Sequence, residues 1–342
     1  MEQTSFFETL TADWSLGSLI CQPRPVSGGY MHKMFRLDTA SGSYAVKLLN
    51  PEVMSRPEAM GNFRNAEALE QVLEQNHLPI VAAMSRNGSK MHCIQGQYYY
   101  LFPWVEHKAV PWDAITETHC RTMGSLLAQL HKLPWKEATS LSAEPNQPAA
   151  VAFDWQAMAQ QVQATCQALD KTFADALTQN LPLLEAAQAA YNRAVAALPP
   201  LQCICNADMD AKNVLWQGDK PLVIDLECLE IGNPVNDLVQ LSLSWAGGVL
   251  CQINMPHLEA FLRAYQQLNP LPAMDWKVLT GLGFAWLDWL HYNLRRACGL
   301  TGPSPEEQRL GLEESRSTLE RIRYYAQVQF QVAEQFQRVM AL

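Results

Sequence analysis

The sequence predicts an α+β fold in two parts, a small strand-rich region at residues 1–105 and a larger helical region at residues 106–342. Short apolar runs bounded by turn residues, such as 44–49 after the turn at 38–43, predict strands in the first part. Pro103 cannot continue a central strand and therefore marks where the last strand of this part ends. Long stretches rich in Ala, Gln and Leu predict helices in the second part; residues 153–197 read as two helices broken near residue 181.

Composition narrows the classes of protein that the chain can belong to. Of its 342 residues 48% are hydrophobic, which is typical of a globular protein with a sizeable core. The net charge of −9 argues against a nucleic-acid partner, which requires a basic face. The sequence contains no run of about 18 uncharged apolar residues, so it predicts no membrane span. The first residues lack a signal-peptide pattern, so we expect a cytoplasmic protein.

The chain contains nine cysteines, and none of them form a Cys-x-x-Cys pair. Cys203 and Cys205 alternate within a predicted strand and are therefore expected to face the same side. A metal site would need further ligands close by in the sequence, and none are present. We therefore predict that the cysteines are free thiols in a reducing compartment.

The most informative stretch lies between residues 206 and 227. Two apolar runs, 214–216 and 221–225, flank a polar turn that contains a glycine, which predicts a β-hairpin. Asp208 and Asn213 precede the first strand and Asp225 ends the second, so the hairpin is expected to bring these side chains to one end. Carboxylate and amide oxygens are suitable ligands for Mg²⁺, and a further carboxylate can accept a proton from a hydroxyl group. This is the layout of a phosphoryl-transfer centre.

The order of these residues resembles the aminoglycoside phosphotransferase and choline kinase family, whose members are small-molecule kinases with a protein-kinase-like fold. The resemblance implies that Asp208 is the catalytic base and that Asn213 and Asp225 bind Mg²⁺, with ATP or GTP as co-substrate. Asp237 matches a family aspartate that braces the catalytic loop. The family usually has histidine where this chain has Asn206, which affects the geometry of the loop more than the chemistry.

The same resemblance implies a nucleotide site in the first part of the chain. The small-residue loop formed by Ser27, Gly28 and Gly29 is suited to bind phosphates through backbone N–H groups. Lys47, in a predicted strand one hairpin later, matches the lysine that binds nucleotide phosphates in kinase folds. In the family a helical glutamate pairs with this lysine. Glu67 is the predicted partner, and Glu70 is an alternative.

Adenine is expected to lie against the segment that follows the last strand of the first part, namely Phe102, Pro103, Trp104 and Val105. Downstream, residues 117–132 predict a helix in which Met123-Gly124 and Leu130-His131 match the spacing of a family helix. His131 is interpreted as a core or capping residue rather than as a base.

The second part also contains a cluster of aromatic and acidic residues that could bind the phosphate acceptor. Aromatic rings and carboxylates together suit a cationic group. The acceptor-site prediction comprises Glu227, Trp286, Asp288, Trp289 and Tyr292. The alternative is that the tryptophans are core residues, because their spacing is also that of a buried helix face.

Together these patterns predict a phosphotransferase that moves the γ-phosphate of ATP or GTP to a hydroxyl of a small molecule. A cationic acceptor such as an aminoglycoside is one candidate, and a choline- or ethanolamine-type metabolite is another. A nucleotide-binding module without catalysis is the alternative from another class, which the Asn206 substitution leaves open.

Overall fold

The computed structural model describes residues 2–26, 32–138, 147–166, 170–301 and 304–340. The chain divides into two compact units, each built from separate segments. The first unit comprises residues 1–109, 134–143 and 213–230, and the second comprises 110–133, 144–212 and 231–342. The first unit therefore contains residues 213–230, which lie far beyond the boundary near residue 105 that the sequence suggests.

The regular elements alternate between strands and helices up to residue 109 and are mostly helical afterwards. In chain order they are α1 (Glu2–Asp13), β1 (Arg24–Val26), β2 (Lys33–Thr39), β3 (Gly42–Leu48), α2 (Pro51–Met54), α3 (Ala59–Gln75), β4 (His92–Ile94), β5 (Gln97–Pro103), β6 (Lys108–Ala109), α4 (Glu117–His131), α5 (Trp135–Ala138), α6 (Trp155–Cys166), α7 (Lys171–Gln179), α8 (Leu181–Ala196), β7 (Cys203–Asn206), β8 (Val214–Gln217), β9 (Lys220–Val223), β10 (Leu229–Gly232), α9 (Pro234–Trp245), α10 (Met255–Leu268), α11 (Trp276–Leu279), α12 (Trp286–Ala297) and α13 (Pro305–Met340).

The first unit contains a five-stranded antiparallel sheet with the order β1-β2-β3-β5-β4. Successive residues of a strand point to opposite faces, so the sheet has two different cores. One face packs against α1 through residues that include Leu10, Leu37, Leu101 and Tyr99. Tyr100 faces the other way, toward α3. Lys47 pairs in register with Tyr100 and lies between two residues of the α1-facing core, so it too belongs to the α3 side.

The predicted hairpin at residues 214–223 is confirmed. β8 pairs with β9 around a turn in which Gly218 has a φ of 60°, and β6 adds a third strand. The N–H of Val81 donates to the carbonyl of Val223, and the N–H of Val223 donates to that of Pro79, both at 2.8 Å. These bonds attach the hairpin to the chain segment that follows α3.

The second unit is built mainly from helices. Helix α4 packs closely on α10, where the carbonyl oxygen of Phe261 would lie only 2.2 Å from a Cβ placed at Gly124. Residues 153–197 form three helices in the described part rather than the predicted two, because Asp170 caps an additional helix, α7, by accepting from the N–H of Phe173. Within the described ranges, no helix has the length and apolar character required to span a bilayer.

Candidate active site

Lys47 is the centre of an ionic cluster in the first unit. Its side chain is buried, and its ammonium group lies 2.6 Å from Asp225 Oδ1 and also donates to Glu227 Oε2. Burial acts to lower the pKa of Lys47, but the two carboxylates outweigh it and hold the pKa above its ordinary value. The lysine is therefore charged, and both acids help to fix its position.

Glu227 is held from a second direction by His32. The imidazole Nδ1 accepts a hydrogen bond of 2.9 Å from the N–H of Asn50, so the neutral ring carries its proton on Nε2. Nε2 lies 3.4 Å from Glu227 Oε2. Burial acts to raise the pKa of Glu227, yet His32 and Lys47 hold it well below its usual range. The sequence did not suggest His32, because nothing in its local pattern marks a contact with a residue so distant in the chain.

Asp225 and Asn213 lie at the base of the β8–β9 hairpin. The N–H of Ile224 donates to the carbonyl of Asn213 at 2.9 Å, which ties the two ends of the hairpin together. Asp225 adopts a left-handed conformation with a φ of 59°, a strained state for a residue other than glycine. A carboxylate and a carboxamide oxygen on neighbouring chain segments form a donor set that suits Mg²⁺.

The predicted ion pair between Lys47 and Glu67 is not formed. Glu67 Oε1 accepts hydrogen bonds from the N–H of Met91 at 3.0 Å and from the hydroxyl of Tyr100 at 2.9 Å. The alternative, Glu70, is also engaged elsewhere: it accepts from the N–H of Ala83 at 2.6 Å and pairs with Lys90 at 2.8 Å. In the described residues, the helical glutamates brace the segment after α3, and Lys47 takes its partners from residues 225 and 227.

Asp208 lies in a loop of the second unit that is held by several polar contacts. Its N–H donates to the side-chain oxygen of Asn206 at 3.3 Å, and its carboxylate lies 2.7 Å from Lys212 Nζ. Lys212 also lies 3.5 Å from Asp210. Burial raises the pKa of Asp210 to about 6, against the opposing effect of Lys212. Asp208 itself is about one-third exposed, so it remains accessible to a ligand.

The role expected for Asp237 as the brace of this loop is confirmed. The N–H of Asn206 donates to Asp237 Oδ2 at 3.1 Å, and the same oxygen lies 3.1 Å from Nε2 of His131. His131 is a buried core residue, as expected, and its Nδ1 lies 2.8 Å from the hydroxyl of Tyr265. A second tie runs from Trp245 Nε1 to the carbonyl of Met209 at 3.0 Å.

The segment predicted to bind adenine continues from β5. Phe102 and Pro103 pair with Ala45 and Tyr44 of β3. The N–H of Trp104 donates to the carbonyl of Ser43 at 3.1 Å, so the backbone stays attached to the sheet for one further residue. Val105 follows as a half-buried residue. Ser27, Gly28 and Gly29, the predicted phosphate loop, lie outside the described residues.

Helix α12 carries the predicted acceptor residues of the second unit. Trp289 and Tyr292 are 39% and 42% exposed and stack on each other with ring centroids 5.5 Å apart. The core interpretation is therefore wrong for Trp289. Trp286 is half-buried beneath the guanidinium of Arg321, which lies 4.8 Å from the ring centroid. Burial raises the pKa of Asp288.

The α+β fold, the salt bridges of Lys47 in the first unit and the salt bridge of Asp208 in the second are features expected of the phosphotransferase class. The model of the APH phosphotransferase enzyme family matches residues 22–276, and the chain belongs to this family. The predictions of the family, of a phosphotransferase enzyme and of the protein-kinase-like fold are thus confirmed. No curated protein matches the sequence.

Solved structures share the fold at low sequence identity. The chain is similar to spectinomycin phosphotransferase APH(9)-Ia in complex with ADP and spectinomycin, with a TM-score of 0.65, 14% identity and coverage of 96% of this chain and 98% of that one. For amicoumacin kinase hAmiN in complex with AMP-PNP, Ca²⁺ and Ami the TM-score is 0.59, the identity 11% and the coverage 92% and 93%. A choline/ethanolamine kinase family protein from Mesorhizobium loti gives a TM-score of 0.57, 16% identity and coverage of 96% and 100%.

Proposed function

We propose that the protein transfers the γ-phosphoryl group of ATP or GTP to a hydroxyl group of a small molecule. The observation that carries this proposal is the buried cluster in which Lys47 pairs with Asp225 and Glu227. A buried cation can bind phosphate oxygens of a nucleotide, and a carboxylate beside it can bind the metal ion that accompanies the nucleotide. The ADP and AMP-PNP bound in the solved structures of two similar proteins support a nucleotide as the phosphate donor.

The proposed roles follow from the chemistry of each side chain. Lys47 binds phosphate oxygens, and Asn213 and Asp225 hold Mg²⁺. When bound, the metal ion neutralises charge on the phosphates of the nucleotide. Asp208 accepts the proton of the acceptor hydroxyl. Positioning and neutralisation of charge supply most of the rate in reactions of this kind.

The remaining nucleotide contacts are proposals from the sequence. Backbone N–H groups of Ser27, Gly28 and Gly29 contact phosphates, and the segment 102–105 receives the adenine ring. None of the nine cysteines, all of which lie in the described residues, takes part in a disulfide bond, which supports a reducing location such as the cytoplasm.

A cationic acceptor is favoured by the surface of α12. An exposed, stacked pair of aromatic rings, Trp289 and Tyr292, lies on the same helix as Asp288, and such a combination attracts an ammonium group. An aminoglycoside or an amino alcohol of the choline or ethanolamine type would provide one. Glu227, the other predicted acceptor residue, is engaged by Lys47 and His32, so its contribution is to hold the phosphate-binding lysine.

The contacts of Asn206 favour a catalytic protein over a module that only binds nucleotide. Its backbone N–H reaches Asp237 and its side-chain oxygen accepts from the N–H of Asp208, so the loop is braced without the family histidine. These contacts support Asp208 as the group that accepts the proton.

A screen of nucleotide turnover tests the proposal. ATP and GTP are each offered with aminoglycosides, macrolides, amino alcohols and sugars, and the release of ADP or GDP is coupled to a spectroscopic signal. The matched control is Asp208→Ala, in which turnover of every acceptor should fall by at least ~100-fold. Turnover of a cationic acceptor that weakens with rising salt supports the charge argument, because salt screens such contacts. A wild-type protein that binds nucleotide but phosphorylates no hydroxyl compound would contradict the proposed activity.

A further inference from the structure

Three potential metal ligands come together in the interior of the second unit, behind the loop that contains Asp208. They are His131 on α4 and Cys203 and Cys205 on β7. One ligand atom from each lies within 4.8 Å of the others, and all three residues are buried. The two Sγ atoms are 3.6 Å apart, as expected for alternate residues of one strand that face the same side. The sequence shows only the two cysteines, because the histidine lies more than 70 residues earlier in the chain.

We propose that His131, Cys203 and Cys205 form a binding site for a soft d¹⁰ metal ion of the Zn²⁺ class. Zinc binds thiolates at about 2.3 Å in tetrahedral geometry, which places two sulfur ligands about 3.8 Å apart. The observed separation of 3.6 Å requires only a small adjustment. Two sulfurs and an imidazole nitrogen suit Zn²⁺ or Cu⁺ and do not suit Mg²⁺, which prefers oxygen. This site is therefore chemically distinct from the proposed Mg²⁺ ligands Asn213 and Asp225.

The neighbours of His131 have the arrangement that a metal-bound histidine requires. A ligating imidazole usually donates its other ring N–H to a carboxylate, which fixes its orientation. Here Nε2 lies 3.1 Å from Asp237 Oδ2, which leaves Nδ1 as the nitrogen for the metal. The hydroxyl of Tyr265, 2.8 Å from Nδ1, is placed to supply a fourth ligand. In a tetrahedral site these two atoms would lie about 3.3 Å apart, so the ring and the phenol need to separate by roughly half an ångström.

Binding is a simple exchange of protons for a metal ion. The metal ion takes the place of the protons on the two thiols and on the ligating nitrogen, and no electrons are transferred. Because the ligands are buried, uptake requires local opening of the structure and is expected to be slow.

The chain supplies a matched control for this site. Cys166 and Cys298 are a second pair of neighbouring thiols in the same unit, linked by a hydrogen bond. They do not belong to a three-ligand group within the described residues. The double variant Cys166→Ser/Cys298→Ser therefore removes as many thiols as Cys203→Ser/Cys205→Ser and leaves the proposed site intact.

The experiment measures the uptake of Zn²⁺ and Cd²⁺ by reduced, metal-free protein after long equilibration. Metal content is determined after gel filtration, and the ultraviolet charge-transfer band of the Cd²⁺–thiolate bond reports sulfur ligation. We expect one tightly bound ion in the wild type and in Cys166→Ser/Cys298→Ser, and loss of that ion in Cys203→Ser/Cys205→Ser. Equal uptake by the two double variants, or no tightly bound ion in the wild type, overturns the proposal.

A spectrum of the wild-type protein covers the case in which Cys203→Ser/Cys205→Ser fails to fold. Co²⁺ in a tetrahedral site with sulfur ligands gives intense visible bands, whereas an octahedral oxygen environment gives weak ones. Intense bands that disappear on addition of Zn²⁺ support the site. Weak bands alone overturn it.

Discussion

The ammonium group of Lys47 lies 2.6 Å from the carboxylate of Asp225. The residue proposed to bind phosphate is thus paired with a residue proposed to bind the metal ion, and each neutralises the other in a largely buried setting. A nucleotide with its metal ion brings both a negative and a positive charge, so it can replace this pairing without leaving either group uncompensated.

Asp225→Asn should abolish phosphoryl transfer and weaken metal-dependent nucleotide binding. The amide is a poorer Mg²⁺ ligand and no longer neutralises Lys47, and loss of metal-assisted charge stabilisation corresponds to a fall of at least ~100-fold in kcat/KM. The measurement is steady-state turnover at saturating Mg²⁺. Asp219→Asn, in the exposed turn of the same hairpin, serves as the control and should keep normal activity. Full activity of Asp225→Asn would remove this residue from the site.

Asp208→Ala should lower turnover by at least ~100-fold, the lower range for a positioned general base, while Asn206→His should be tolerated. The structure explains the difference, because the tie from residue 206 to Asp237 uses the backbone N–H, which every substitution except proline retains. Both variants are assayed with one accepted substrate. Near-normal turnover of Asp208→Ala would rule out the catalytic assignment.

His32→Ala should raise the KM for nucleotide by about 10-fold and change kcat less. It removes the contact of Nε2 with the carboxylate of Glu227 at 3.4 Å, and so loosens one of the two acids that hold Lys47; a 10-fold change corresponds to about 1.4 kcal/mol. His32→Gln, which can still donate a hydrogen bond to Glu227, should recover part of the affinity. If kcat falls with an unchanged KM, or if glutamine gives no recovery, His32 does not position the lysine in this way.

Asp210→Asn should stabilise the protein, and increasingly so as the pH rises from about 4 to about 6. Folding raises the pKa of Asp210 to about 6 through burial, so the native state holds a proton that the unfolded state releases. The contribution of Asp210 to the free energy of unfolding is present at low pH and is lost as the pH rises through the folded-state pKa. The gain at pH 7 relative to pH 4 is at most about 3 kcal/mol. Chemical denaturation at several pH values tests this, with Asp113→Asn, an exposed residue, as a control that should lack the trend.

Gly124→Ala should destabilise the second unit, while Gly61→Ala should not destabilise the first. A Cβ at Gly124 would lie 2.2 Å from the carbonyl oxygen of Phe261, and backbone atoms cannot yield cheaply. Overpacking of this kind costs about 1–3 kcal/mol or more. Gly61 lies in α3 with nothing within 4 Å of the added atom, so alanine should contribute up to ~1 kcal/mol through helix propensity. Melting temperatures that fall for both variants, or for neither, would contradict the packing argument.

The parts of the fold that the sequence predicts are those specified by local pattern. The β8–β9 hairpin follows from two apolar runs around a glycine turn, and α4 follows from its apolar spacing. The number of helices in residues 153–197 does not follow from local pattern. The same alanine-rich composition extends over all three helices, and two of them are separated only by the N-terminal cap that Asp170 provides. The bracing of the loop by Asp237 was predictable only through the family resemblance.

The contacts of the ionic cluster could not be predicted from helix spacing. Glu67 has a suitable position along α3, yet its carboxylate is satisfied by Met91 and Tyr100, which belong to segments far along the chain. Lys47 correspondingly pairs with residues about 180 positions away. Likewise, the approach of His131 to the two cysteines of β7 depends on the packing of distant elements, for which the local sequence carries no signal.

The composition of the first unit from three chain segments has a consequence for biosynthesis. Residues 213–230 supply two strands beside β6 and both acids that neutralise Lys47, so a fragment that ends at residue 109 would bury an unpaired lysine. On the ribosome, this unit cannot be completed until residue 230 has left the exit tunnel, by which time the whole α4–α8 region has already been synthesised. The N-terminal sheet therefore remains partly assembled until residues 213–230 are available. During that interval the chain is expected to need protection from aggregation.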